Sequence, residues 1–377
     1  MRILYVTQVQ LDRPYGGARH VLAVTKELAA RGHAVELLAP GRDGAPPGVR
    51  RRPGPSGLAP GVRLEAALAA EVAWAAVRFS PQVGYVRISA SSALVPRTLT
   101  ALQVPYVVEL NGCILDELKK LGRSDPAVAA VRFNLWRVLR RARAVVAVEP
   151  SVARHASDAL GATDVEVIRN GADLEVATPG DRAAARRRLG LEAKGPLLAF
   201  AGTLAPELRF DLLFAALEKA PDLGLVLVGD GPQRARVRAA ADRLGGQLTW
   251  LGSRPHEDAV DALRAADVCV NVRDGIVGMK VFEYAAVGRR FVTFDVAEAP
   301  ELDALYPELD AVHLVRHRTP DGVLSAVRAA LEAEARRGPL PPEAVERARG
   351  QVGWDRTARR IEALLHRVAS NPPRAPG

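Results

Sequence analysis

The sequence predicts an α/β protein of two doubly wound, Rossmann-like domains, and three observations carry this. Short apolar runs of strand length alternate with helical stretches from the first residues onward. The alternation stops at a polar, arginine-rich passage opened by Pro179 and Gly180, and then restarts at PLLAFAGTL. A chain of 377 residues also suits two domains better than one. The expected boundaries are 1–176 and 177–355, with 356–377 read as a helix and tail that cross back to the first domain.

RILYVT opens the chain as a strand. QVQLDRPYGG follows as a loop holding Pro14, Gly16 and Gly17. Val21, Leu22, Val24, Leu28 and Ala29 recur at helical spacing until Gly32 closes the helix. HAVELLAP is the next strand, so this is a strand–helix–strand unit and the sheet is parallel. Residues 41–62 carry Gly, Pro and Arg without period and read as a loop. VGYVRISA and VPYVVELNG are further strands. A helix is expected over 127–143, then strand AVVAVEP, then GATDVEVIRNGADL as a strand entering a turn. After the join near 175–195 come helix FDLLFAALEKA, strand LGLVLVGDGP, helix RARVRAAADRLGG and strand LTWLGS. Helix HEDAVDALRAA, strand DVCVNV, helix KVFEYAAVG and strand RRFVTFDV complete the second alternation, and SNPPRAPG reads as a disordered tail. Ligands of such sheets bind outside the carboxyl ends of the strands, so two facing domains predict a site in the cleft between them.

Composition excludes several classes. Apolar residues make up 48% and charged residues 25%, the balance of a soluble globular protein. Aromatics are only 5%, so the cores are aliphatic. No uncharged apolar run approaches the roughly 18–20 residues that cross a bilayer, and the five-residue run in MRILYVTQVQ is too short for a secretory leader. A cytoplasmic protein is expected. Cys113 and Cys269 are far apart, with no zinc-ligand spacing, and Cys269 in ADVCVNV reads as core. The net charge of +9 is uneven. Residues 1–176 hold 23 Lys/Arg against 16 Asp/Glu, and the rest 29 against 27. Between Lys119 and Arg143 eight basic residues face one acid, Asp125. A patch of this kind suits an anionic partner or is a solvated helix face.

Glycine-rich segments stand where strands stop: AGTLAPELRF, VGDGPQ, LGSRP and RDGIVGMKVFEY. Glycine lets backbone N–H groups approach an anion, which a helix N-terminus also favours. Taken in order with Gly16–Gly17, ARGHAV, VIRNGADL and VGWDRTARRIEALL, these segments span nearly the whole chain. The chain thereby resembles the family 4 glycosyltransferases, retaining enzymes of the two-Rossmann-domain GT-B fold. The resemblance implies transfer of a sugar from a nucleoside-diphosphate sugar, most often a UDP-sugar, with no metal or other cofactor. The lack of any Asp-x-Asp fits that expectation.

The resemblance also distributes roles. Glu283 matches the second Glu of the family's Glu–seven residues–Glu motif, which bonds the ribose hydroxyls; a carboxylate suits this because it accepts several hydrogen bonds. Gly278 stands where the family has its diphosphate-contacting glycine. Met279, Lys280 and Val281 follow at a helix start, and Lys280 adds charge. Gly202, Thr203, Gly231, Ser253 and Arg254 complete the donor side. Two positions depart from the pattern. Gly275 replaces the first Glu, leaving Asp274 beside it, and Leu208 replaces a Lys, leaving Arg209 as the next cation. Arg209, Lys280 and Asn111 are the expected catalytic side chains. Arg209 and Lys280 would serve the diphosphate; Asn111 would donate to the leaving oxygen or a sugar hydroxyl, or only form an Asn-Gly turn. In the first domain Gly16 and Gly17 would back the phosphate or acceptor, and Tyr85, Arg87 and Glu109 would line the acceptor side, with a weaker claim for His20. The acceptor would be a small molecule or a lipid-linked glycan, with peripheral contact at the inner membrane face through 127–143. Nucleic acid is not expected, since no basic motif is interleaved with aromatics. A non-catalytic sugar-nucleotide binder and a GT-B-type epimerase are the other readings.

Overall fold

The computed structural model describes residues 1–12, 16–41, 44–54, 57–191, 195–296 and 299–370. The chain forms two compact units, 1–170 with 354–377, and 171–353. Its first segment therefore ends at Asn170 rather than at residue 176. Each unit is a parallel sheet wrapped by helices.

The first unit runs β1 (Arg2–Thr7), α1 (Gly16–Ala30), β2 (Ala34–Ala39), β3 (Val49–Pro53), α2 (Val62–Phe79), β4 (Val83–Arg87), α3 (Leu94–Ala101) and β5 (Tyr106–Leu110). It continues through α4 (Ile114–Lys120), α5 (Asp125–Leu139), β6 (Ala144–Ala147), α6 (Pro150–Arg154) and β7 (Val165–Val167). The sheet order is β3-β2-β1-β4-β5-β6-β7, every pair parallel. The order reverses between β1 and β4, which is where such sheets take ligands.

The second unit runs α7 (Arg182–Arg188), β8 (Leu197–Ala201), α8 (Phe210–Glu218), β9 (Gly224–Val228), α9 (Arg234–Leu244), β10 (Leu248–Gly252), α10 (His256–Ala265) and β11 (Val268–Asn271). Then follow α11 (Lys280–Ala286), β12 (Arg290–Phe294), β13 (Val312–Val315), α12 (Pro320–Arg337) and α13 (Pro342–Val352). The order β10-β9-β8-β11-β12-β13 is again parallel throughout, with its reversal between β8 and β11. Strand LLAFA of β8 is buried at every residue, as a strand covered on both faces must be. Cys269 lies in this core with its thiol pushed up to about 12 by burial. The chain then returns to the first unit as α14 (Trp354–Ser370), which packs on α1.

Four local expectations need correction. Gly16 and Gly17 are not loop residues; they form the first turn of α1, where backbone N–H groups lack intrahelical partners anyway. Pro14 lies outside the described residues. The supposed loop 41–62 contains β3, hidden from pattern reading because its three consecutive arginines carry no apolar alternation. Arg52 has partners there: its guanidinium lies 3.3 Å over the Trp74 ring and bonds Glu71 at 2.5 Å. The arginine-rich passage after Gly180 holds helix α7, capped by Asp181, whose Oδ1 accepts from the Ala184 N–H at 2.6 Å. Three of its four arginines pair with acids of the second unit: Arg182 and Arg186 bond Asp267, and Arg188 bonds Asp261. Finally, α5 stops at Leu139, so Arg140, Arg141 and Arg143 leave the helix as the chain turns to pair with Tyr106. The tail 371–377 lies outside the described residues. Among the described residues no helix is long and apolar enough to cross a membrane.

Candidate functional site

Two clusters gather the predicted residues, one on each unit. On the second unit the strand-end loops after β8, β9 and β11 meet. The β8 and β9 loops pack so tightly that a Cβ on Gly229 would lie 1.8 Å from the Gly202 carbonyl oxygen, and one on Gly231 2.8 Å from the Leu204 nitrogen. Glycine is the only residue these positions admit, which explains VGDG physically. Lys280 leans over the same loop, its Cε 3.0 Å from where a Gly202 Cβ would stand.

Lys280 Nζ donates to both oxygens of Glu283, at 3.2 and 3.0 Å, one helical turn along α11. His256, first residue of α10, brings Nε2 to 3.4 Å from Glu283 Oε1. Glu283 is buried, and burial alone would raise its carboxyl; Lys280 and His256 outweigh this and hold it at about 2. The site therefore keeps a buried carboxylate ionised beside a cation that retains a third N–H donor. A carboxyl whose pKa falls on folding binds fewer protons folded than unfolded. Its contribution to stability is whole above pH 4.5 and disappears as the pH falls towards about 2. Glu283→Gln should accordingly flatten the acid-side loss of stability in urea titrations across that window; an unchanged slope would mean the ion pair contributes nothing.

The departures from the family pattern have a structural account. Leu208 is core, 3% exposed, and cannot present a polar group. The loop ending at Arg209 pairs with the loop after β11: Leu208 bridges Arg273, Arg209 N–H donates to the Val272 carbonyl at 2.8 Å, and Asp274 N–H to the Glu207 carbonyl at 2.9 Å. This zipper sets Arg209 and Asp274 side by side, Nη1 to Oδ2 at 3.7 Å. Arg209 is bonded more closely to Asp211, at 2.7 Å, and Arg318 Nη1 donates to Asp274 at 2.9 Å. Gly275, which stands at the position of the first Glu in the motif, has a φ of +87° and nothing within 4 Å of a Cβ, so open space surrounds it. Gly278, φ +75°, turns the chain into α11, and buried Asn271 pins this loop by donating to the Val277 carbonyl at 2.8 Å. Met279 precedes the helix, and Val281 is fully buried, leaving only its backbone to a ligand. Thr203, Ser253 and Arg254 are exposed, and Arg254 Nε donates to the Leu251 carbonyl.

On the first unit Glu109, the residue before the end of β5, has no exposure. Tyr85 hydroxyl donates to it at 2.6 Å, His20 Nε2 lies at 2.9 Å, Arg87 Nη1 at 3.4 Å, and Asn111 Nδ2 also bonds it. Burial would raise this carboxyl too, but His20 and Arg87 bring it down to about 2. His20 continues to Asn170 at 2.6 Å and meets the Trp354 ring edge-on. Glu109 is thus the hub of the cluster, Asn111 is tied to it, and His20, a weak candidate by sequence, links it to Asn170. His256, Arg318 and Asn271 escaped the sequence reading. His256 was legible as the residue after WLGSRP; Arg318 lies 44 residues from its partner and gave no signal.

Residues 14–176 match the family model for Glycosyltransferase Family 4, and residues 195–333 that for Glycosyl transferases group 1. A D-inositol 3-phosphate glycosyltransferase of Mycobacterium sp. strain KMS is 37% identical over 145 residues, 36% of this chain and 33% of that protein. One from Segniliparus rotundus is 30% identical over 205 residues, 52% of this chain and 45% of that protein. The match thus spans a third to under half of these relatives. Among solved structures, sucrose-phosphate synthase from Thermosynechococcus elongatus superposes with a TM-score of 0.78 at 19% identity, covering 97% of this chain and 99% of that one. Anabaena Alr3699/HepE in complex with UDP-glucose superposes at 0.75 and 18% identity, covering 97% and 100%. At such identities the likeness speaks for the fold, the GT-B pair of Rossmann-like domains.

Proposed function

Because the chain belongs to the family 4 glycosyltransferases, we propose that it moves a sugar from a nucleoside-diphosphate sugar to an acceptor hydroxyl, with retention of configuration and without a metal. The observation that carries this reading is the ionised Glu283 locked to Lys280 at the strand-end loops of the second unit. Glu283 offers lone pairs to the two ribose hydroxyls, and Lys280 turns its remaining donor to the diphosphate. Negative charge grows on that diphosphate as the glycosidic bond breaks, so a fixed cation there favours the transition state over the bound donor. UDP is the favoured nucleotide, in line with the complexes of the HepE neighbour. In calorimetry Glu283→Ala should lose roughly 1.5–3 kcal/mol of UDP affinity, the worth of a charged hydrogen-bond partner. Equal affinities would remove the ribose assignment.

Arg209 is the second cation of the site. Its backbone pairing with Val272 seats it among the same strand-end loops as Lys280, and its bond to Asp211 holds the guanidinium in a fixed orientation. Arg209→Ala should lower turnover more than it lowers affinity for uridine alone. Equal losses in both would make Arg209 a surface residue.

The acceptor side belongs to the first unit. An inositol phosphate is the acceptor named for the curated relatives, and a phosphate-bearing small molecule or lipid-linked glycan is the class proposed here. The outward face of α5 favours contact with the cytoplasmic side of an anionic membrane. Phe133 and Trp136 are 59% and 37% exposed and stack on each other, with Arg137 over the first ring and Arg140 over the second. Exposed aromatics among arginines suit a lipid interface. Sedimentation with anionic vesicles should show binding that falls with salt and is lost when Arg137, Arg140 and Arg141 become Glu. Binding indifferent to both leaves a soluble acceptor.

A further inference from the structure

His33, Glu362 and His366 come together where the returning helix meets the first unit. Glu362 and His366 stand one turn apart on α14. His33 lies in the turn between α1 and β2, set by Gly32 at φ +84°. Its Nε2 is 2.8 Å from Glu362 Oε1, and its ring centroid is 5.7 Å from that of His366. One donor atom from each of the three residues lies within 4.8 Å of the other two. His33 is buried, Glu362 half-buried and His366 exposed, so the cluster opens to solvent on one side.

We propose that these three side chains bind a divalent transition-metal ion of the zinc class, which clasps α14 to the start of β2. Two imidazole nitrogens and one carboxylate oxygen, with a water on the open side, make the four-coordinate set zinc prefers. The nitrogen ligands disfavour magnesium and calcium, which take oxygen. Tetrahedral bonds of about 2.1 Å place donors roughly 3.4 Å apart, so the cluster closes by small side-chain movements. Metal binding needs the Nε2 lone pair of His33. The proton that Nε2 now shows to Glu362 moves through solvent to Nδ1, and the Met1 ammonium, 3.1 Å away, loses one proton to solvent and accepts from Nδ1–H, so metal binding releases one proton in all. Arg31, 3.4 Å from the other Glu362 oxygen, can remain there, since a carboxylate serves both. The clasp joins residues 33 and 362 across most of the chain, which is where a metal link constrains the unfolded state most.

A second cluster, Cys113, Asp116 and His155, serves as the control. Burial pushes the Cys113 thiol up to about 11, and His155 Nε2 already accepts from the Leu115 N–H at 3.5 Å, so it is the weaker ligand set.

The test is a zinc titration of chelator-treated full-length protein by calorimetry, with cobalt absorption as a second readout. The expected result is one site, with a rise in melting temperature on zinc addition. His366→Ala, on an exposed position that leaves the fold intact by circular dichroism, should weaken zinc binding at least tenfold. Glu362→Gln should do the same, while Cys113→Ser leaves affinity unchanged. No binding at micromolar zinc would overturn the proposal. So would zinc binding that survives His366→Ala and Glu362→Gln, or that vanishes with Cys113→Ser.

Discussion

Lys280→Ala should lower turnover by about 10²–10³-fold, the range for removing one preorganised donor from a developing anion. The geometry makes the effect larger than loss of a surface charge. Lys280 is half-buried over Gly202, so its ammonium acts where water is partly excluded. Its removal also strips Glu283 of its closest cation, at 3.0 Å, and burial then raises that carboxyl. Ribose binding and leaving-group stabilisation weaken together, through one substitution. Lys280→Arg should recover part of the rate, because charge is kept while the fork geometry differs. Affinity for uridine lacking phosphates should fall as well, through the weakened Glu283, but by less than turnover does. A decrease below tenfold, with the fold intact, would take Lys280 out of the chemistry.

Glu109→Ala should destabilise the first unit by about 3–5 kcal/mol, the cost of breaking a buried ion pair from one side. Glu109 has no exposed surface, yet it accepts from Tyr85 and Asn111 and faces His20 and Arg87. Without it these groups keep their burial and lose their acceptor. Tyr85→Phe removes only one of the bonds and should cost about 1 kcal/mol. Urea unfolding followed by a probe on the first unit checks both. A loss near 1 kcal/mol for Glu109→Ala would mean that water takes the place of the carboxylate.

Both sheets were readable because parallel strands buried on two faces write continuous apolar runs such as LLAFA and VCVN. β3 was not, because an edge strand needs only backbone pairing on one side and here carries three arginines in a row. Helix α7 was hidden in the same way, three of its arginines satisfied by Asp261 and Asp267 from 73 or more residues away. In the site, Lys280 and Glu283 were legible as neighbours on one helix face. Their third partner, His256, comes from a different strand-end loop, and the Arg318–Asp274 bond depends on how β13 follows β12 in the sheet. Pairings of this kind are set by topology, so a linear motif does not contain them. The glycine at 275 was visible as a departure; that it leaves open space rather than a collapsed loop is a property of the backbone at φ +87°.

The central claim is that the strand-end loops of the second unit hold the nucleoside diphosphate. Hydrogen–deuterium exchange with and without saturating UDP tests it most directly. The account predicts slowed exchange in residues 202–204, 229–233 and 277–284, and loss of that protection in Glu283→Ala at the same UDP concentration. Protection confined to the first unit, or protection of these segments that Glu283→Ala leaves untouched, would contradict it.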